Sequence, residues 1–308
     1  MQLQISVIIP TYNRRVILRK ALEALSRQTL DSRAYEVIVI DDGSTDGTQE
    51  MIQQLKTPYL LVYRFTSRRG PAAARNLGLK LARADLIVFI DSDIVVNEEF
   101  LEAHLKAHTE PHYIGHGPVI HTDNLDDPTS ASFKVTDISR AFFATGNASI
   151  RKEHLFAAGL FDESFVEYGW EDLELGIRLR RLGLKAVKVP KARGYHYKKK
   201  LAAVDVPIWR QRERERGHTA VAFYRKVPTA RVRMMTMLFP LTFWLDSIVT
   251  AGGWPDRPAT QRLLQWLDRR GYHLALRFVV RLITHHAYVT GMREALAAER
   301  ARQSAQPS

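Results

Sequence analysis

The feature that most constrains this chain is an alternation over its first 110 residues. Short β-branched runs are each followed by a polar cluster and then, in most cases, by an apolar pattern of helical period. The runs are "LQISVIIP" (3–10), "YEVIVI" (35–40), "YLLVYRF" (59–65) and "DLIVFI" (85–90). Between them, "VILRKALEALSRQ" (16–28) sets Ile17, Ala21, Leu22 and Leu25 at helical spacing. "DGTQEMIQQL" (46–55) predicts a helix capped by Asp46, and "GPAAARNLGLKLAR" (70–83) a helix with Pro71 in its first turn. Strands alternating with helices of this length predict βαβ units and a mostly parallel sheet flanked by helices.

In open sheets of that kind, ligands bind beyond the carboxyl ends of the strands. "PTYN" (10–13), "DDGS" (41–44) and "DSD" (91–93) each follow a predicted strand, so all three are expected on one rim. Two carboxylates a residue apart at a strand end can hold a hard divalent cation, which in turn neutralises phosphate oxygens. The same spacing also makes an ordinary Asx-turn. An ionised aspartate only accepts hydrogen bonds, so "DDGS" suits a ring N–H such as that of uracil, and Tyr12 offers a flat face for a base. Taken singly, strand capping by Asp41 and packing of Tyr12 are the simpler readings.

Further along, "YIGHGPVIH" (113–121) predicts one strand and "FFATGNASIRKEHL" (142–155) a strand followed by a helix start. "GWEDLELGIRLRRLG" (169–183) predicts an amphipathic helix stopped by Gly183, and "KAVKVPKARGYHY" (185–197) a strand with a trailing loop. Glu171 and Asp172 stand at that helix start. Acids there commonly complement the helix dipole, or one of them takes a proton from an attacking hydroxyl. His196 is either structural or, as a neutral imidazole, a metal ligand beside Asp93.

The ordered segments "SVIIPTYNR", "VIVIDDGSTDGT", "GPAAARNLGL", "IVFIDSDIVV", "GWEDLELGIRLRRLG" and "GYHY" resemble the family 2 inverting glycosyltransferases of the GT-A fold. The last two also resemble the galactosyl- and N-acetylgalactosaminyltransferases. The likeness spans roughly residues 3–200. It implies a Rossmann-like α/β catalytic domain over residues 1–200, with 201–308 as a helical, basic extension. It implies that Pro10, Thr11, Tyr12 and Asn13 contact the nucleotide, with Tyr12 stacking on the base and Asp42 reading uracil. Arg75 and Asn76 would sit beside the nucleotide, Arg75 helping to hold Asp91, with Asp91 and Ser92 toward the ribose and sugar. Asp93 and His196 would hold Mn²⁺ or Mg²⁺. Asp172 would be the catalytic base, supported by Glu171, and "TGNAS" (145–149) the strand beside the donor sugar. The expected partners are a nucleotide-sugar donor, a UDP-sugar first, and a glycan or lipid-linked acceptor.

Composition limits the alternatives. With no cysteine among 308 residues, disulfides, thiolate metal sites and a cysteine nucleophile are excluded. A sugar-phosphate nucleotidyltransferase would open with a glycine-rich basic phosphate loop, and "PTYNRR" stands there instead. The formal charge of +12 raises a non-catalytic binder of anionic polymers, but no nucleic-acid module with interleaved aromatics is evident. Residues 201–308 hold 17 Lys and Arg against 8 Asp and Glu, a net of +9. Lys198 or Arg212 in this basic stretch is expected to touch the diphosphate. "MMTMLFPLTFWL" (234–245) and "LALRFVVRLITHHAYV" (274–289) either pack as core helices or anchor the chain at an anionic membrane. With no secretory leader at the start, the expected location is cytoplasmic, peripheral at the inner face of the membrane. The last residues, "ERARQSAQPS" (299–308), are expected to be disordered.

Overall fold

The computed structural model of the chain describes residues 3–134, 137 and 141–304. The elements run β1 (Ile5–Thr11), α1 (Arg15–Leu25), β2 (Tyr35–Asp41), α2 (Thr48–Gln54), β3 (Leu60–Phe65), α3 (Pro71–Leu81), β4 (Leu86–Ile90) and β5 (Ile94–Val96). They continue through α4 (Phe100–Ala107), β6 (Tyr113–His116), β7 (Val119–Thr122), β8 (Asn147–Arg151), α5 (Lys152–Ala157), α6 (Glu171–Arg181), β9 (Lys185–Lys188) and β10 (Gly194–Tyr197). Five helices follow: α7 (Val206–Lys226), α8 (Ala230–Met235), α9 (Pro240–Val249), α10 (Pro258–Arg269) and α11 (His273–Ser304). Two compact units result. One holds the chain up to Val166 together with Glu171–Lys199, and the other Glu167–Trp170 with Lys200–Ser308.

The first unit is built on a seven-stranded sheet ordered β3-β2-β1-β4-β8-β6-β9. β3, β2, β1 and β4 are mutually parallel, as the alternation predicts, and β8 runs antiparallel between β4 and β6. Successive side chains of a strand go to opposite faces. Ile5, Val7, Ile9, Val37 and Val39 therefore pack with Leu18 and Leu22 of α1 on one side. Ile8, Ile38, Ile40 and Phe89 pack with Leu79, Leu175 and Leu179 on the other. Because both faces are covered, these strands read as unbroken apolar runs rather than alternating ones.

Two expected strands are each two. Residues 113–121 divide into β6, in the large sheet, and β7, in a separate three-stranded sheet ordered β5-β10-β7. The break is at Gly117-Pro118, where a Cβ on Gly117 would lie 2.1 Å from the Ala192 carbonyl oxygen. Residues 185–197 divide likewise into β9 and β10, so His196 lies in a strand and not in a trailing loop. At α2 the capping position is Gly47, at φ +83°, and Asp46 accepts from the Thr48 amide at 3.2 Å from one residue further out. Residues 299–304 continue α11 as helix, contrary to the expected disorder, and 305–308 lie outside the described residues.

The second unit is helical. α7 and α11 cross closely through two glycines: a Cβ on Gly217 would meet the Tyr288 carbonyl oxygen at 2.1 Å, and one on Gly291 the Arg214 carbonyl oxygen at 2.0 Å. The segment Glu167–Trp170 is held against α7. Trp170 stacks on Phe223 with ring centroids 5.8 Å apart, and His218 Nδ1 lies 2.8 Å from Glu167 Oε2. α11 supplies a second carboxylate to the same imidazole, Glu294, at 2.9 Å from Nε2. Arg212, expected near a diphosphate, lies over the Tyr168 ring at 4.0 Å.

Candidate active site

Parallel register brings the strand-end segments together, since Thr11 pairs with Asp41 and Asp41 with Phe65. Asn13, at φ +51°, ties the first two segments to each other. Its amide donates to Ser44 Oγ at 2.8 Å, and its Oδ1 accepts from the Thr45 amide at 2.8 Å. Tyr12 is 39% exposed with the Arg68 guanidinium 4.5 Å over its ring. Pro10 is the next-to-last residue of β1, and Thr11 Oγ1 is buried with no hydrogen-bond partner among the described residues.

Asp42 is buried and its carboxylate accepts from two backbone amides, Arg69 at 2.8 Å and Gly70 at 2.9 Å. Burial raises its pKa above the usual carboxylate value against those two bonds. Each oxygen retains a second lone pair for a further donor. Gly70 is needed where it stands: its φ is +91°, and a Cβ would lie 2.2 Å from the Val166 carbonyl oxygen.

Arg75, on α3, is buried and forks between two segments far apart in sequence. One terminal nitrogen donates to Glu171 Oε1 at 2.8 Å, and the other to Asp91 Oδ1 at 3.2 Å. The aspartates at the end of β4 and the acids opening α6 are thereby drawn to one guanidinium. Asp91 is half-exposed, and a Cβ on Gly146, in "TGNAS", would lie 3.3 Å from its Oδ2. Glu171 Oε2 is buried without a partner among the described residues. The Asp172 carboxyl is raised to about 7, first by burial and then by the charge of Glu171, with Arg75 opposing both.

Asp93 Oδ2 lies 3.2 Å from His196 Nε2 and accepts from Arg14 at 2.7 Å. This carboxylate and imidazole are near enough to hold one divalent cation, which would compete with Arg14 for the same oxygen. No group of three such side chains that could hold a metal occurs among the described residues, so a cation here would complete its shell with substrate oxygens or water. Ser92 is buried between the two aspartates.

Two expectations place polar groups elsewhere. Asn76 turns its amide to the 161–163 loop, donating to Phe161 O at 2.8 Å and Glu163 Oε1 at 3.0 Å and accepting from the Phe161 amide at 2.9 Å. It braces that loop against α3. In "TGNAS", Asn147 and Ser149 are occupied by the buried His104, and Ser149 also by His108. Burial lowers the pKa of both imidazoles and keeps them neutral, His104 to about 3 and His108 to about 4. Lys198 is exposed past the end of β10, and its amide donates to Thr122 O at 2.8 Å. Sequence inspection passes over Arg14 and Arg68, because arginines beside a motif look like ordinary solvated charge. A hollow of about 400 Å³ opens beside Asn147, Gly146 and His121.

Comparison with known proteins agrees with this architecture. Residues 6–161 match the family described as Glycosyl transferase family 2. The chain is 30% identical over 239 residues to the uncharacterized glycosyltransferase YfnE of Bacillus subtilis (strain 168), covering 58% of this chain and 61% of that one. It thus spans under two thirds of that relative's length. The mannosyltransferase PcManGT of Pyrobaculum calidifontis, solved with GDP-Man and Mn²⁺, superposes with a TM-score of 0.60 at 19% identity, over 97% of this chain and 88% of that one. TarS (1–349) of S. aureus, solved with UDP-GlcNAc, gives 0.52 at 18% identity, over 99% and 93%. At those identities the two structures establish the fold, GT-A, and no more.

Proposed function

The chain belongs to glycosyl transferase family 2, and from that premise we propose that it transfers a sugar, with inversion, from a nucleotide diphosphate donor to an acceptor hydroxyl. The observation that carries the proposal is the Arg75 fork, which joins the strand-end aspartates to the acids opening α6. UDP is the nucleotide of choice. Asp42 retains acceptor capacity for a ring N–H, and a structural neighbour was solved with UDP-GlcNAc. The "GWED" helix start and His196 extend the likeness to galactosyl- and N-acetylgalactosaminyltransferases.

Each side chain has a task. Tyr12 stacks on the base, with Pro10, Thr11 and Asn13 shaping the backbone beneath it. Asp91 accepts from ribose or sugar hydroxyls, and Ser92 keeps the two aspartates on their turn. Asp172 takes the acceptor proton as the new bond forms: an alcohol's pKa lies far above neutrality, and a carboxyl raised to about 7 is a stronger base than an ordinary one. Glu171, paired with Arg75, orients that region. Asp93 and His196 would hold Mn²⁺ or Mg²⁺, which supplies neutralisation of the leaving diphosphate. The neighbour solved with Mn²⁺ supports that cofactor. The acceptor is a glycan or lipid-linked hydroxyl, and the basic C-terminal unit would bring the enzyme to the inner membrane surface.

The test is calorimetric titration of UDP and GDP, with Mn²⁺ and with EDTA, into wild type and Asp93→Ala. Mn²⁺-dependent UDP binding that the variant loses is the expected result. Absence of binding by either nucleotide in any condition would overturn the donor site.

A further inference from the structure

α9 is built inside out. Its buried residues are Thr242 and Asp246, one helical turn apart, while Leu241, Trp244, Leu245 and Ile248 form an exposed stripe at the i, i+3, i+4, i+7 spacing. Trp244 is 59% exposed and Asp246 3%. A helix on a water-facing surface turns its apolar stripe inward and its acids outward. Here the inward side is fixed by polar bonds to α11. Asp246 accepts from Arg293 at 2.6 Å and lies 3.0 Å from His286 Nδ1, and Arg293 also donates to the Phe243 carbonyl at 2.9 Å. A buried carboxylate paired to two fixed partners sets the helix rotation, because turning it would strand the charge. The stripe is thus held outward by the unit's own interior.

The surrounding charge says what medium the stripe faces. Residues 230–281 carry eight arginines, no lysine and three acids, all aspartates. Asp246 is buried as described, Asp256 is paired with Arg210, and Asp268 accepts from the Ala203 amide. Arg231, Arg262, Arg269, Arg270, Arg277 and Arg281 remain exposed. Exposed Trp266 and Phe278 stand among them on α10 and α11. A second copy of this chain would oppose arginine to arginine across such a face, which disfavours self-association. An anionic lipid surface complements it: acyl chains for the stripe, headgroups for the guanidinium groups, and the interfacial zone that tryptophan prefers.

The length excludes a span. The apolar stretch Ala230–Val249 is 20 residues, with mean hydropathy 1.3 over its most apolar 18, but it is broken between α8 and α9, with Met237 at φ +55°. α9 alone, ten residues, reaches only about 15 Å against a hydrocarbon core of about 30 Å.

We propose that α9 is an interfacial anchor, lying in the plane of an anionic lipid surface with Leu241, Trp244, Leu245 and Ile248 immersed. It deepens the membrane contact proposed above. Because its test contains no nucleotide, failure here leaves the donor site standing. The experiment floats the full chain with vesicles of phosphatidylcholine alone and of phosphatidylcholine with phosphatidylglycerol, in wild type, Trp244→Glu/Leu245→Glu, and Leu241→Glu. Circular dichroism and Tm are checked first, and all three side chains point outward, so the variants should fold. Wild type should float with the anionic vesicles and weakly with the neutral ones. Each substitution should cut affinity at least about tenfold. Equal flotation of folded variants and wild type would overturn the proposal. So would an absence of vesicle binding together with a wild-type dimer, by light scattering, that the variants convert to monomer.

Discussion

Arg75 decides how the acids of the site behave. It pairs at 2.8 Å with Glu171, beside Asp172, whose carboxyl is raised to about 7 first by burial and then by Glu171, with Arg75 opposing both. The pH dependence follows. The base proposed for Asp172 would act only when ionised, so kcat/KM should fall as pH drops below about 7 in a profile taken with saturating metal. Asp172→Asn should lower kcat by about 10²–10⁴ while leaving UDP affinity near wild type. Stability has the opposite sense. The folded state holds the Asp172 proton up to about 7 and the unfolded chain only to about 3.8, so stability falls as pH rises through that window. The Asn variant, neutral throughout, should therefore melt higher than wild type at pH 8. An activity profile flat down to about pH 5 would remove Asp172 from the base role. The aspartates and the acids of "GWED" were legible as residues. The Arg75–Asp91 contact was expected from the likeness of "ARN", but its continuation to Glu171 was not, because that bond joins residues 96 positions apart.

At the scale of elements, locality separates what could be read from what could not. β1 to β4, α1, α3 and α6 follow from apolar periods and turn residues within a dozen positions, and each forms close to its expected range. The paired strands at 113–122 and 185–197 were hidden because each stretch, expected as one strand, serves two sheets. Their division depends on which strand lies alongside, and for β6 that is β8, more than thirty residues later. The crossing of α7 and α11 was equally hidden: Gly217 and Gly291 look like isolated interruptions until their reciprocal backbone contacts are seen. Gly291→Val should force the helices apart and destabilise the second unit by about 1–3 kcal/mol, the usual cost of overpacking. The check is chemical denaturation followed by circular dichroism, and an unchanged midpoint would mean the crossing yields readily.

For the whole molecule, charge and apolar exposure are distributed unequally. Residues 201–308 carry a net +9 of the total +12, and α9 adds an outward apolar stripe to that basic surface. Two kinds of attraction with different salt sensitivity should therefore coexist. Raising the salt toward 1 M, where screening acts within about 3 Å, should strip the arginine contribution to vesicle binding and leave an apolar remainder. The proposed UDP site, which would rest on short-range contacts such as that of Asp42 with the base, should be affected less. Flotation and calorimetry across one salt series would compare them, and salt-insensitive flotation would rule out the headgroup contacts.

The sequence by itself determined the alternating α/β class, the rim on which the polar segments lie and the identity of most acids there, because strand period, helix period and turn chemistry are local properties of a chain. It also determined the basic tail. Only the tertiary structure decided that the Arg75 guanidinium also reaches Glu171, that Asn76 braces a loop, that Arg14 sits on Asp93, and that α9 faces outward. Those outcomes rest on contacts between segments tens of residues apart and on which side of a helix is held by a buried charge. A local pattern fixes the period of an apolar stripe, but not the direction in which the folded chain points it.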